Sequence, residues 1–285
     1  MTTVTPMLAR PFDRWKPSFP VYSQAKLDGI RCLLNSRAGW SREGNPFYSI
    51  PHIQDAMEDT FRQFPSIVFD GELYSHQFNE NFNEIVSMVK KQKPSLDDLK
   101  LARDNLQFWL FDFCVPEWEW SFAQRMDFIR QLPIAWSYES PVKIVETLKI
   151  PDQESLDRHY EALLLDKFEG QMIRLDGPYE QCGPTERRSQ YLFKRKPSQT
   201  QEFVIVALNE GEGKAKDSVG SFVLTFVGGH GPRFEAGVKM GYAERRDLWR
   251  NRDWQIGRLA TVRFQNFTPD GKPRFGRVIS IRNYE

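Results

Sequence analysis

Four short stretches of this chain alternate like β-strands yet carry charge on a face where a core strand would carry apolar side chains. In "VFDGELY" (68–74) the alternation puts Asp70 and Glu72 on one side. In "YLFKRKP" (191–197) it puts Lys194 and Lys196 together, with Arg195 turned away. "SQAKLDG" (23–29), read as the end of a strand, points Lys26 and Asp28 to the same side with Gln24 behind them. "EGQMIRL" (169–175) supplies Glu169 where a helix gives way to a strand. A single strand of this kind is an edge face wet by solvent. Four in one chain are hard to place as separate wet edges, and together they call for a polar pocket that they share.

Composition allows such a pocket to be held by a proper core. The chain has 285 residues, 40% of them hydrophobic and 14% aromatic, enough for one large domain or two modest ones. It has no run of about 18 apolar residues that would read as a membrane span. The opening "MTTVTPMLARPFDRW" lacks the apolar core and small-residue cleavage site of a secretory signal. Cys32, Cys114 and Cys182 are scattered, odd in number and without metal-ligand spacing, which fits a reducing compartment and a cytoplasmic protein. The net charge is only +1, but "ERRSQYLFKRKP" (186–197) and the stretch from Arg245 to Arg282 are locally basic. Such a stripe, rather than the net charge, is what a phosphate backbone feels. A solvated charged face accounts for either cluster taken singly.

Periodicity divides the chain near residue 198. Before it, helix and strand signals mix. "SIPHIQDAMEDTFRQF" (49–64) spaces Ile53, Met57, Phe61 and Phe64 as one helix. "LQFWLFDFCV" (106–115) is a strand whose alternation gathers Trp109, Phe111 and Phe113 on an aromatic face, with Trp109 and Phe113 taken as core. Ser121 is a good N-cap for a helix carrying Phe122, Met126 and Ile129, and 151–170 holds the clearest helix, with Leu156, Tyr160, Leu163 and Leu164 on its apolar face. The polar segment 75–105 has two readings, a region that contacts nucleic acid and a surface helix pair, of which the surface helix pair is the simpler. Beyond residue 198 come short strands separated by Gly, Asp and Asn turns, with one helix at "YAERRDLWR" (242–250), the pattern of a small closed Greek-key barrel. Domains of 1–198 and 199–285 are therefore expected.

The order of motifs resembles that of the covalent nucleotidyltransferases, most closely the small ATP-dependent DNA ligases. "KLDGIR" (26–31) is similar to the family's nucleophile motif and "SREG" (41–44) to the short motif after it. "FDGELY", "WLFDF", "EGQMIR" and "LFKRKP" resemble the motifs that follow, and "GKPRFGRVISIR" (271–282) resembles the last, which the family carries on an OB-type domain. The resemblance covers nearly the whole chain, and seven motifs in the family's order are far more specific than one. It implies an α+β, two-domain protein: a nucleotidyltransferase domain of ATP-grasp-like antiparallel sheets with helices, followed by an OB-fold barrel.

The resemblance also implies roles. Lys26 attacks the α-phosphorus of ATP to form lysine–AMP. A free lysine amine, with a pKa of about 10.4, is a poor nucleophile near neutrality, and clustered cations with partial burial favour its neutral form. Lys194 and Lys196 supply those cations and hold the α-phosphate. Glu169, then Asp28, would bind Mg2+ or Mn2+, which takes one or two carboxylates and keeps most of its waters. Glu72 and Arg31 would hold the ribose and Phe111 would stack on the base. Gln24, where many relatives carry Glu, can accept from the adenine amine. Arg42 would engage the 5′-phosphate of a nick, Arg174 a bound phosphate, and Arg274 the pyrophosphate leaving group. Only Glu285 remains as an acidic residue past the last motif. With no separate DNA-binding domain ahead of "PMLARPFDRW", the grip on DNA falls to a loop or to the two-domain clamp. The expected partners are ATP and nicked duplex DNA, the expected state a monomer without membrane association. An RNA ligase, an mRNA-capping guanylyltransferase and a non-catalytic nucleic-acid binder on the same fold stand as alternatives.

Overall fold

Strands with charge on one face do occur, and they fall into two different sheets. The structure is a computed structural model that describes residues 4–12, 17–79, 81–115, 117–134, 137, 139–268 and 270–282. The chain divides into two compact units, Met1–Arg195 and Lys196–Glu285. The first unit contains strands β1 (Arg10–Pro11), β2 (Val21–Lys26), β3 (Ile30–Leu34), β4 (Gly39–Trp40) and β5 (Pro46–Phe47), then helices α1 (Pro51–Ala56) and α2 (Glu58–Gln63). It continues through β6 (Val68–Tyr74), α3 (Phe82–Val89), α4 (Leu96–Asn105), β7 (Gln107–Cys114), α5 (Phe122–Gln131), β8 (Val142–Ile144), β9 (Thr147–Ile150), α6 (Gln153–Leu165), β10 (Gly170–Arg174) and β11 (Leu192–Arg195). One sheet runs β1-β11-β10-β2-β9 and the other β5-β4-β3-β6-β7-β8. Most pairs are antiparallel as expected, but the pairs β1 with β11 and β7 with β8 are parallel.

The helices start where the sequence supplies caps. At α5 the Ser121 hydroxyl accepts from the Gln124 N–H, and the Gln124 side-chain oxygen accepts from the Ser121 N–H, a closed capping box. That start fixes the phase of the helix and turns Phe122, Arg125, Met126 and Ile129 inward. Asp152 caps α6 by accepting from Ser155 N–H at 2.8 Å. The single helix expected over 49–64 is instead two, broken at Met57, where ψ is 0°. Its apolar stripe survives the break, since Ile53, Met57 and Phe61 are all buried and Phe61 reaches the Phe69 ring at 5.7 Å. The helix pair expected at the surface is half correct. The helix α4 buries only Ala102, but α3 buries Ile85, Met88 and Val89, with Ile85 and Val89 in the main core.

The aromatic face expected for β7 does not exist as one face. Gly71 pairs with Leu110 and Asp70 with Asp112, so Phe111 is an extra residue, a β-bulge. A bulge shifts the side-chain phase by one. Trp109 and Phe111 therefore stand apart from Phe113, which turns into the core against Phe69, Trp118 and Phe128. Gly71 sits opposite because a Cβ there would meet the Phe108 ring at 2.5 Å.

In the second unit β12 (Gln199–Glu210), β13 (Val219–Phe226), β14 (Phe234–Val238), β15 (Leu259–Phe264) and β16 (Arg277–Ile281) close into a barrel in the order β12-β13-β14-β16-β15, with α7 (Tyr242–Arg250) between β14 and β15. Phe203 is its central side chain, with ring centroids of Phe226, Phe234 and Phe264 at 5.1, 4.8 and 6.0 Å. Phe203→Ala is expected to destabilise the barrel by about 3–5 kcal/mol through the cavity it leaves, read as an earlier urea transition in tryptophan fluorescence.

Candidate active site

Sheet pairing brings the lysine of "KLDGIR" and the glutamate of "EGQMIR" side by side. Lys26 is the last residue of β2 and pairs in register with Gly170 of β10, and the Glu169 N–H donates to the Lys26 carbonyl at 3.0 Å. With the backbones tied, the Lys26 ammonium donates to the Glu169 carboxylate, whose side chain is almost wholly buried. Both sheets contribute to a cavity of about 750 Å³ beside this pair, lined by Gln24, Lys26, Arg31, Glu72, Phe111, Met172, Arg174 and Lys194 among others. Arg42 and Glu43 stand at the exposed side of the same cavity, their side chains paired at 3.0 Å. Lys90 and Gln92, just past α3, line it too.

Close packing explains the Asp-Gly step after Lys26. A Cβ on Gly29 would lie 2.4 Å from the Leu73 carbonyl oxygen and 2.8 Å from Glu72 Cγ. Gly29 thus lets the chain turn tightly enough to bring β6, with Glu72, alongside Lys26. Asp28 does not share the face of Lys26 as expected. The strand ends at Lys26, so alternation stops there; Leu27 turns into the core and Asp28 is not among the cavity-lining residues. Its charge instead faces Tyr74, whose hydroxyl pKa is raised first by burial and then by Asp28. Arg195 does turn away as expected, pairing with Asp157 at 2.6 Å over the Tyr160 ring.

Two buried ion networks hold the cavity wall. Arg31 donates from Nε to Asp70 Oδ1 at 2.8 Å, from Nη2 to Asp70 Oδ2, and from Nη1 to the Met7 carbonyl at 2.6 Å, while the Tyr179 hydroxyl donates to the same carboxylate at 2.7 Å. Burial lowers the Arg31 pKa, but the charge and hydrogen bonds of Asp70 outweigh it and leave it raised. The second network joins the sheets. Arg174 donates from Nε to Gln24 Oε1 at 2.8 Å and from Nη1 to Asp112 Oδ2 at 2.6 Å, and Arg125 grips Asp112 through Nε at 2.6 Å and Nη2 at 3.2 Å. Burial raises the Asp112 pKa, yet the two guanidiniums overcome it and hold this carboxylate below its ordinary range.

This network corrects one expectation. Arg174 is only 3% exposed, committed to Asp112 and Gln24 and stacked 4.7 Å from the Phe122 ring, so it forms part of the cavity floor rather than a surface for DNA phosphate. Lys196 and Arg274 belong to the second unit, where Lys196 donates to Gln265 at 3.5 Å and the Arg274 guanidinium lies 5.0 Å from the Phe275 ring. Glu285 lies outside the described residues. Asp112, Arg125 and Tyr179 were not singled out from the sequence, and Asp70 was placed on a charged strand face without a role of its own. Arg125 did leave a signal: three residues after Phe122 and four before Ile129, it is a charge on an apolar helical stripe, where burial demands a partner.

Among the described residues no group of three or more His, Cys, Asp or Glu could hold a metal alone. A buried glutamate at a cavity edge still suits Mg2+ or Mn2+, which binds by one or two carboxylates together with substrate phosphates. Glu169, which does not itself line the cavity but is paired with Lys26, which does, fits that role. No helix among the described residues is long and apolar enough to cross a membrane.

Glu72 carries the pH signature of the site. Burial raises its pKa from 4.5 to about 7 against the pull of Lys26 and Arg31, with Glu169 and Asp70 adding to the rise. A carboxyl group whose folded pKa is raised gives stability at low pH that is lost as pH climbs. The urea midpoint of the wild type should therefore fall, relative to Glu72→Gln, between about pH 4.5 and 7 and level off above, when the two are compared in a pH series.

Residues 6–196 match the ATP dependent DNA ligase domain and residues 210–282 the DNA ligase OB-like domain. A DNA ligase of Haemophilus influenzae is 26% identical over 258 residues, covering 88% of this chain and 82% of the relative. A DNA ligase of African swine fever virus is 23% identical over 301 residues, covering 98% and 68%. The fold is shared with a solved Lig E DNA ligase at a TM-score of 0.78 and 24% identity, over 98% of this chain and 100% of that one. It is also shared with the bacteriophage T7 ATP-dependent DNA ligase solved with ATP, at a TM-score of 0.53 and 15% identity, over 98% of each chain. The cavity with its lysine lies within the first matched domain and the second match covers the closed barrel beyond its first strand, and the chain belongs to the ATP-dependent DNA ligase family.

Proposed function

We propose that this protein seals nicks in duplex DNA with ATP, working as a single copy through a lysine–AMP intermediate on Lys26. The observation that carries the reading is the meeting of Lys26, Lys194 and Phe111 around one cavity of about 750 Å³ in the domain that matches the family, with Glu169 paired to Lys26 beside it. Lys26 Nζ bonds to the α-phosphorus, the bond from that phosphorus to pyrophosphate breaks, and the amine gives up a proton. Lys194 neutralises phosphate charge as it develops, the larger part of catalysis in phosphoryl transfer. Glu169 holds the Lys26 amine at the cavity edge until nucleotide arrives. A divalent ion, when bound at Glu169, neutralises phosphate oxygens.

In the second step AMP passes from Lys26 to the 5′-phosphate of the nick. In the third, the 3′-hydroxyl attacks that phosphorus and AMP leaves. Arg42 fits the 5′-phosphate because its planar, permanently charged guanidinium lies at the exposed side of the same cavity and is held there by the exposed Glu43. Lys196 and Arg274, from the barrel unit, are assigned to the α-phosphate and to pyrophosphate. Phe111 offers a ring to the base. Glu72 and Arg31 border the ribose, although Arg31 spends three donors on Asp70 and Met7.

Incubation with α-labelled ATP and Mg2+ should put acid-labile label on the protein, absent in Lys26→Ala and abolished by a chelator. The labelled protein should seal nicked duplex DNA. A wild-type protein that takes no label from ATP or GTP overturns the reading, and one that seals only RNA ends replaces DNA ligase with RNA ligase. Arg42→Ala should lower sealing about tenfold further than it lowers self-labelling, the cost of one charge-assisted phosphate contact.

A further inference from the structure

The Gln24 amide has two ends of opposite polarity, and its neighbours have fixed polarity. Arg174 is a donor without an acceptor, so the atom 2.8 Å from its Nε is the Gln24 oxygen. At the other end Nε2 donates to Thr147 Oγ1 at 2.8 Å and to the Phe111 carbonyl at 3.3 Å. Thr147 spends its own proton on the Val145 carbonyl at 3.1 Å, which leaves its oxygen an acceptor. Both amide hydrogens are thus used, whereas the oxygen accepts one bond and retains a second lone pair. Gln24 is 1% exposed and lines the cavity beside Phe111 and Arg174.

Of the three contacts, Arg174 can only donate and the Phe111 carbonyl can only accept, but of these two the Arg174 bond, at 2.8 Å, is the short one and the charge-assisted one. The Thr147 hydroxyl can rotate to donate, and the Phe111 contact is long. Arg174 itself cannot swing away, because Asp112 holds it at 2.6 Å and is held in turn by Arg125.

We infer that Arg174 is a specificity-determining positioning residue: tied to Asp112, it locks the Gln24 amide with its oxygen available to the base, so that the pocket takes a 6-amino purine nucleotide and rejects a 6-oxo one. This rests on the nucleotide-transfer reading above. An amino group at position 6 donates to that oxygen. A 6-oxo group meets it acceptor to acceptor. Were the amide free to turn over, its NH2 would serve the 6-oxo purine equally well, and choice would be lost.

The test compares ATP with inosine triphosphate, which differs at the 6-position and the adjoining N1 proton, as donors of label to Lys26, read as the ratio of their kcat/KM values. Arg174→Met leaves Asp112 paired with Arg125 and should cut the ATP preference about tenfold or more, the worth of one hydrogen bond. Arg174→Lys, still a donor without an acceptor, should keep most of the preference. Gln24→Met should abolish it whether or not Arg174→Met folds, and Gln24→Glu, with acceptors at both ends, should keep it. A general loss of structure slows both nucleotides alike and leaves the ratio in place. The inference fails if Arg174→Met labels with the wild-type ratio, if Arg174→Lys loses as much as Met does, or if Gln24→Met keeps the preference. Absence of label on the wild type with either nucleotide overturns the ligase reading and this inference together, whereas label with unchanged ratios overturns only this one.

Discussion

The carboxylate of Asp112, clasped by Arg125 from a helix and Arg174 from the opposite sheet, is the interaction on which the cavity depends. Burying three charges is expensive unless the geometry is good and the remaining donors are satisfied. Here Arg125 also donates to the carbonyls of Trp120 at 2.6 Å and Gly177 at 3.1 Å, so its fork is largely satisfied. The clasp joins β7 of one sheet to β10 of the other through charged side chains at the wall of the cavity. It also leaves one positive charge in excess beneath a cavity meant for an anion. Cost and use coincide, since a neutral or apolar clasp would hold the sheets together but attract nothing.

Above that floor the charges are arranged to wait. Lys26 rests on Glu169, Arg31 on Asp70 and Arg42 on Glu43, each cation beside a carboxylate in its own or a neighbouring strand or turn. The pairs differ in depth. Asp70 is fully buried and receives the Tyr179 hydroxyl as well, so its hold on Arg31 is structural. The Arg42–Glu43 pair is exposed and weak, as surface pairs are. Cations can thus be ranked by how readily they change partner, from Arg31, which stays, to Arg42, which is easily recruited.

How much of this the sequence disclosed depends on whether a residue's role is local. Lys26, Glu72, Phe111 and Lys194 were legible because each sits in a short motif, and their company in one cavity followed from strands with charge on the wrong face. The capping serine at 121 and the barrel strands beyond residue 198 were legible for the same reason, being written in adjacent residues. Asp28 and Arg174 were misread by extending or trusting alternation. In the first case the strand ended two residues too early, and in the second the face pointed to a buried carboxylate on another sheet. Asp112 and Arg125 were overlooked because a buried ion pair between elements 13 residues apart leaves no periodic trace. A charge on an apolar stripe hints that a partner exists without saying which residue it is.

The extra residue in β7 has a consequence for anyone placing this chain beside its relatives. Phe111 and Phe113 look like successive members of one aromatic repeat, but the bulge puts the first in the cavity and the second in the core. A relative whose strand lacks the bulge would line up letter for letter through Leu110 and then be out of step by one. Without a gap, its counterpart of Asp112 would be set against Phe111 and its counterpart of Phe113 against Asp112, equating a core-packing residue with the carboxylate of the clasp. The correct superposition opens a one-residue gap at Phe111, so a loss of identity in that strand can mark a shift of frame rather than a change of function.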